Sequence, residues 1–166
     1  MLLGEIAPGG VGTGLYGLVI VAVLAVFIGG LLVGRTPEFM GNKIGRQEIS
    51  AVSLYILTMP VLVLVGVGAS VAQRALVEAS ATNFGAPGTP DNAHALSEVL
   101  YAFTSAANNN GSAFAGLTVT EPWWQISLGV VMLLGRFLPI VFALSLAGSL
   151  AAVSYTHLRA HETGRN

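Results

Sequence analysis

Polar residues interrupt an otherwise apolar part of the chain. They lie in the stretch SAANNNGSAFAGL, residues 105–117, and are Asn108, Asn109, Asn110, Gly111 and Ser112. Asparagine amides can brace a backbone loop, and glycine reaches backbone angles that are forbidden to other residues. Such a loop can turn its carbonyl oxygens to one side, where they replace the water around a dehydrated cation. We therefore predict a cation site of backbone carbonyls, with no transition metal. An ordinary extracellular turn that contains a glycosylation sequon is the alternative.

Arg136 is the second candidate, because it is the only charged residue between Pro122 and Ala152. A stretch of this length and composition predicts a membrane-spanning helix, with Arg136 near its middle. A charge at the bilayer centre costs about 2.5 to 3.5 kcal/mol to insert, so the guanidinium needs a partner or water. We predict that it supports the loop at 108–112 or lines an ion tunnel. A structural charge paired with a distant part of the protein is the alternative.

Composition places these candidates in a membrane protein. Of the 166 residues, 54% are hydrophobic and 9% are charged, and the mean hydropathy is +0.75. An average soluble domain has about 25% charged residues. The net charge of −1 gives no reason to expect a nucleic-acid partner. The sequence has no cysteine and no HExxH, Ser-His-Asp or GxxxxGK motif, so we predict neither a thiolate metal site nor catalysis by this chain.

Three apolar stretches are long enough to cross a bilayer, which takes about 20 residues. They cover residues 6–34, 49–72 and 122–152. The connection at 35–48 carries Arg35, Lys43 and Arg46, whereas the longer connection at 73–95 carries one arginine. The positive-inside rule therefore predicts that the first connection is cytoplasmic and the second extracellular.

Residues 96–107 predict a helix that enters the membrane and stops halfway. From Leu96 onward, apolar residues recur at spacings of 3, 4, 7 and 11 positions, which is one helical face. Twelve residues span about 18 Å as a helix, roughly half of a bilayer. Because the chain must return to the outer surface before Trp123, it has to turn back at 108–112. The predicted fold is an all-α integral membrane protein with three transmembrane helices plus a reentrant pore helix and filter loop.

Four blocks of the sequence are similar to one family. They are SEVLYAFTSAANNNGSAFAGL, GGVGTGLYG, VGRTPEFMGNKI and GRFLPIVFALSLAGSL, and the similarity runs from about residue 4 to residue 152. Together they resemble the potassium-binding A subunits of Kdp potassium-transporting P-type ATPases, in which four channel-like repeats surround one pore. The resemblance implies that residues 1–34 contain the closing helix of the third repeat and that residues 49–152 form the fourth. Its parts are a helix at 49–72, an extracellular loop at 73–95, a pore helix at 96–107, a filter at 108–112 and a helix at 122–148.

The same resemblance implies a function for the candidate residues. Asn109, Asn110, Gly111 and Ser112 would form one wall of a potassium filter through their backbone carbonyls, and Asn108 and Arg136 would support the filter or line the tunnel. A complete family member selects potassium outside a bacterial or archaeal plasma membrane and passes it to an ATP-hydrolysing B subunit. A C subunit and a small F subunit complete the complex, and the A subunit itself does not hydrolyse ATP.

Two further expectations concern the extent of the chain. The first three filter segments and the family's final helix are absent, so we expect no potassium transport by this chain alone. Residues 153–166, VSYTHLRAHETGRN, change abruptly from apolar to polar and resemble the read-through of a sequencing adapter, so we leave them out of the functional argument. A genuine short polar tail is the alternative for this segment. A repeat of a Trk- or Ktr-type potassium channel or symporter is the alternative for the whole chain.

Overall fold

The computed structural model describes residues 15–81, 94–112 and 116–163, with side chains up to residue 152. The described elements, in chain order, are α1 (Tyr16–Val33), β1 (Glu38–Phe39), β2 (Asn42–Lys43), α2 (Arg46–Val71), α3 (Arg74–Ser80), α4 (Ala95–Ala107) and α5 (Pro122–Thr163). Residues 6–14, residues 82–93 of the predicted extracellular loop and the side chains of 153–166 lie outside this description.

The predicted class of fold is confirmed. Among the described residues, three segments are long and apolar enough to cross a membrane, and they are α1, α2 and the Pro122–Ala152 part of α5. Many of their large apolar side chains are exposed; Leu32, for example, is 83% exposed. Apolar surface of this extent is expected where helices face lipid or further protein within a membrane. The chain is therefore part of a multi-pass membrane protein, whereas the division into third and fourth repeats stays a prediction.

The ends of two spanning helices differ from the expected positions. Helix α2 begins at Arg46 rather than residue 49, because the carboxylate of Glu48 accepts a hydrogen bond of 2.8 Å from the backbone N–H of Gly45. A glutamate three residues inside a helix that binds back to the preceding N–H is one half of a capping box. Helix α5 continues to Thr163 rather than ending at residue 148. No glycine or proline lies between Gly148 and Gly164 to end it earlier.

Both connections contain short elements that the apolar pattern did not predict. In the first connection, β1 and β2 pair as a hairpin whose turn residues have positive φ, 51° at Met40 and 83° at Gly41. Two central residues with positive φ are typical of the tight turns that join paired strands. In the second, helix α3 is stabilised by an ion pair of 2.8 Å between Arg74 and Glu78, which are one helical turn apart.

Residues Leu57–Leu138 form one compact unit, and it contains the predicted site. The indole of Trp124 is fully buried at its centre, with the ring of Phe103 tilted by 50° at a centroid distance of 6.2 Å. The core consists of Val63, Val67, Val77, Ala81, Ala95, Val99, Phe103, Ala107, Leu117, Trp124 and Val131. These residues come from α2, α3, α4, the segment before α5 and α5 itself, so the core holds α4 between its neighbours.

The described parts of Leu3–Ile56 and Pro139–Asn166 form a second unit. Its core is made of Ile20, Val23, Ile44, Ala51, Val52 and Leu146. Tyr16 and Tyr55 meet edge to face with their ring centroids 6.1 Å apart. The hydroxyl of Ser149 also donates a hydrogen bond to the carboxylate of Glu48. This second contact holds Glu48 in place while it caps α2.

Candidate cation site

The segments before and after the turn are joined directly. Residues Ala81 and Leu117 form an antiparallel bridge, and the N–H of Thr118 donates to the carbonyl of Ser80 at 2.8 Å. Ala95, the first residue of α4, is buried in the same hydrophobic core as Ala81 and Leu117. The 13 residues of α4 span about 20 Å, and the turn at 108–112 follows them.

The turn after α4 lies beside the middle of the third spanning segment. The side-chain amide of Asn109 donates to the carbonyl of Met132 at 3.2 Å. At 1.5 Å per residue, Met132 is about 15 Å along α5 from Pro122. For a helix that enters a hydrocarbon core of about 30 Å at Pro122, this distance corresponds to the midplane. A 13-residue helix followed by a turn at this level is consistent with the predicted half-crossing.

A Schellman cap ends α4, with an asparagine in the position that glycine most often occupies. Asn109 has φ +51°, its N–H donates to the carbonyl of Ala106 at 3.0 Å, and the N–H of Asn110 donates to the carbonyl of Ser105 at 3.0 Å. These are the two hydrogen bonds that define this cap. Asparagine tolerates the left-handed region better than other residues with a side chain. Asn108 thus precedes the residue with positive φ, Asn109 is that residue, and Asn110 follows it in the same cap.

Asn108 and Ser112 are each tied to the helix that precedes them. Asn108 is 2% exposed, and its side-chain amide donates to the carbonyl of Thr104 at 2.7 Å. The hydroxyl of Ser105 lies 2.8 Å from the hydroxyl of Ser112 and also accepts the N–H of Ser112 at 3.1 Å. These contacts connect both sides of the turn to α4 and fix the loop between them.

The cap determines which oxygens can face a cation. The carbonyls of Thr104, Ser105 and Ala106 accept hydrogen bonds from the turn itself. Among the described residues, in contrast, the carbonyls of 108–111 accept no hydrogen bond. Gly111 has φ +73°, and it lines a cavity of about 500 Å³. Other lining residues are Ser105, Asn109, Ser112, Gln125 and Met132. The oxygens available to bind an ion are therefore those of the loop, and the last turn of the helix is used to hold it.

The structure brings five of the six predicted residues together. Asn108, Asn109, Asn110, Gly111 and Ser112 make one turn against α5. The sixth, Arg136, is half-buried on α5 directly after Gly135. Their roles as ion ligands and supports stay predictions.

Sequence reasoning missed two residues that hold the turn. Ser105 was not predicted as a site residue, because its contact with Ser112 forms across the turn, beyond the end of α4. Gly135 lies against the last carbonyl of α4, and a glycine beside a charge in the middle of an apolar helix was the available signal.

Comparison with known proteins identifies the family of this chain. The family described as "Potassium-transporting ATPase A subunit" matches residues 1–163. The chain is similar to proteins named "Potassium-transporting ATPase potassium-binding subunit" from three bacteria. The identity is 67% over 151 residues for Mycobacteroides abscessus, 63% over 156 residues for Rhodococcus erythropolis and 64% over 154 residues for Nocardia farcinica. These alignments cover 91%, 92% and 92% of this chain and 26%, 27% and 27% of the relatives, so the chain spans about a quarter of their length. Because the match extends over nearly all of its residues, the chain belongs to the potassium-transporting ATPase A subunit family.

Proposed function

We propose that this chain supplies one wall of the potassium filter in a potassium-transporting ATPase. The backbone carbonyls of Asn109, Asn110, Gly111 and Ser112 are the proposed ligands, with Asn108 as a support behind them. The observation that carries the proposal is the turn at mid-span, in which the carbonyls of 108–111 accept no hydrogen bond from the described residues. Carbonyl groups at membrane depth need a partner, and a dehydrated cation can be that partner.

The chemistry explains why one turn is insufficient. A potassium ion leaves its hydration shell only where carbonyl oxygens surround it, and channels of this kind use a ring of loops for that purpose. One turn offers oxygens from one side. The remaining loops belong to the part of the full-length protein that lies outside these residues, so we expect no potassium transport by this chain alone.

The complete transporter contains the proposed partners. An ATP-hydrolysing B subunit receives the ion, and a C subunit and a small F subunit complete a complex in a bacterial plasma membrane. The half-buried guanidinium of Arg136 is a fixed positive charge near the depth of the turn. A charge in this position limits how far a cation moves past the filter, because like charges repel strongly where water is scarce. The names of the relatives favour this pump over a Trk- or Ktr-type protein.

A chimaera tests the proposal. The matching quarter of the Mycobacteroides abscessus subunit is replaced by residues 4–152 of this chain and produced with the remaining subunits of that pump. We expect ATP hydrolysis that potassium stimulates, and we expect Gly111→Ala to raise the half-maximal potassium concentration by about tenfold. The reason is that alanine at φ +73° costs on the order of 1 to 2 kcal/mol and redirects the loop carbonyls.

Gly34 provides the matched control. It has a similar φ of +71° and open space around it, but it ends α1 far along the chain from the turn. Gly34→Ala therefore introduces comparable backbone strain and should leave the potassium dependence unchanged. Equal changes in both variants, or none in Gly111→Ala, would contradict a filter at this turn.

A further inference from the structure

We infer that Gly135 of α5 is a positioning residue that sets where the filter turn lies, an inference that rests on the proposed function. The evidence is a contact between two main chains. A Cβ atom at Gly135 would lie 2.1 Å from the carbonyl oxygen of Ala107 and 2.9 Å from its carbonyl carbon. Contacts of carbon atoms below 3.0 Å essentially never occur, so any side chain at this position displaces the end of α4 by roughly 1 Å.

The displaced group is directly connected to the proposed ion ligands. Ala107 is the last residue of α4, and the N–H groups of Asn109 and Asn110 are bonded to the carbonyls of the two residues before it. The hydroxyl of Ser105 holds Ser112 in the same way. The last helical turn and the loop therefore form one hydrogen-bonded piece, and a shift of Ala107 moves the loop carbonyls with it.

A second contact on the same face of α5 supports this role. The side-chain amide of Asn109 donates to the carbonyl of Met132, which is three residues before Gly135. Positions three residues apart lie on one face of a helix. The loop is thus held against α5 at two points, by a hydrogen bond at Met132 and by close main-chain packing at Gly135.

Gly66, on α2, provides an instructive contrast. A Cβ atom there would lie 2.4 Å from two ring carbons of Phe103. The obstacle is a side chain, which can change its rotamer, whereas the obstacle at Gly135 is backbone that can move only with α4. Substitution at Gly66 should therefore disturb core packing without moving the filter, although both glycines are equally small.

The experiment compares three glycine-to-alanine variants in the chimaeric pump. The measured quantity is the half-maximal rubidium concentration for ATP hydrolysis divided by the half-maximal potassium concentration. We expect Gly135→Ala to change this ratio by about tenfold, because a misplacement of 1 Å can alter the activity of a positioned site by up to about 10²-fold. In Gly66→Ala, we expect a lower Tm with the parental ratio. Gly148→Ala, on α5 in open space, should match the parent in both measurements. An assembled Gly135→Ala pump with the parental ratio and potassium dependence would overturn the inference.

A second variant applies if Gly135→Ala fails to assemble. Asn109→Gly keeps a residue that accepts positive φ but removes the amide that binds Met132. We expect its ion ratio to change as well, and an unchanged ratio would overturn the inference. Failure of the proposed function gives a different result: Gly111→Ala does not change the potassium dependence of ATP hydrolysis by the chimaera. If the parent chimaera depends on potassium and responds to Gly111→Ala, but to neither Gly135→Ala nor Asn109→Gly, only the positioning role is overturned.

Discussion

At the scale of single residues, the site depends on small groups with several contacts. Asn109 adopts positive φ, contributes an N–H to the cap and donates its amide to α5. The hydroxyl of Ser105, which is 3% exposed, accepts the N–H of Ser112 and meets its hydroxyl. The NNNG sequence predicts a turn, but it does not indicate which asparagine takes the left-handed conformation. The residue at which α4 ends determines which asparagine has positive φ, and packing of α4 against α5 determines that residue.

Removal of the Ser105 hydroxyl should weaken ion binding. Ser105→Ala removes the hydroxyl that accepts the N–H of Ser112, and the loss of one partner of a partly buried hydrogen bond costs about 1 to 3 kcal/mol. We expect the half-maximal potassium concentration for ATP hydrolysis by the chimaeric pump to rise by about fivefold or more.

The neighbouring Thr104→Val variant serves as a control. Within the described part of the chain, the Thr104 hydroxyl donates to the carbonyl of Leu100 in its own helix, at 2.7 Å, and makes no hydrogen bond with the loop. Its removal should leave the potassium dependence unchanged. If Ser105→Ala resembles Thr104→Val, the bond between Ser105 and Ser112 does not position the loop.

At the scale of elements, sequence alone predicted the long helices and the half-length helix, because apolar runs and a 3.6-residue period are signals within one segment. The short helix α3 and the hairpin β1–β2 were missed, since elements of seven and two residues are too short to show a period. The end of α5 also differs from residue 148, the position that the resemblance implied, and a polar sequence after residue 152 does not by itself end a helix. The contact between Gly135 and Ala107 joins distant parts of the chain, so the sequence around Gly135 marks the glycine but does not identify its partner.

The docking of α3 on α5 should depend on a buried indole. The Nε1–H of Trp124 donates to the hydroxyl of Ser80 at 2.9 Å, and both residues are buried. Trp124→Phe removes the donor and leaves a cavity, so we expect a loss of about 2 to 3 kcal/mol and a clearly lower Tm of the detergent-solubilised pump.

Trp123 allows a matched comparison. Its Nε1–H donates to the hydroxyl of Ser70 at 3.0 Å, but its ring is only half-buried. Trp123→Phe should therefore lower the Tm less than Trp124→Phe does. The reverse order would show that burial of Trp124 does not hold this end of the unit together.

At the scale of the whole molecule, the chain spans about a quarter of the length of the relatives that it resembles, and its spanning helices expose large apolar side chains. The sequence was sufficient to predict a multi-pass membrane protein and its family. The orientation predicted from Arg35, Lys43 and Arg46 concerns a bilayer and needs a direct measurement.

The absence of cysteine from the sequence makes that measurement simple. Met40, at the hairpin turn, is 88% exposed, and Glu121, just before α5, is also exposed. A membrane-impermeant maleimide should label Glu121→Cys in intact cells, but it should label Met40→Cys only after permeabilisation. The cysteine-free parent gives the background, and the opposite labelling pattern would mean that the orientation is inverted.

The bond between Thr118 and Ser80 has one more consequence. Helix α4 has a fixed rise of about 1.5 Å per residue, so its length of about 20 Å is set by its number of residues. The return from Asn108 to Leu117 has ten residues, and a fully extended chain of that length spans about 30 Å. We therefore expect that one residue can be deleted from the return without moving the turn, whereas a deletion in α4 would move the turn by about 1.5 Å along the helix axis and rotate it by about 100°.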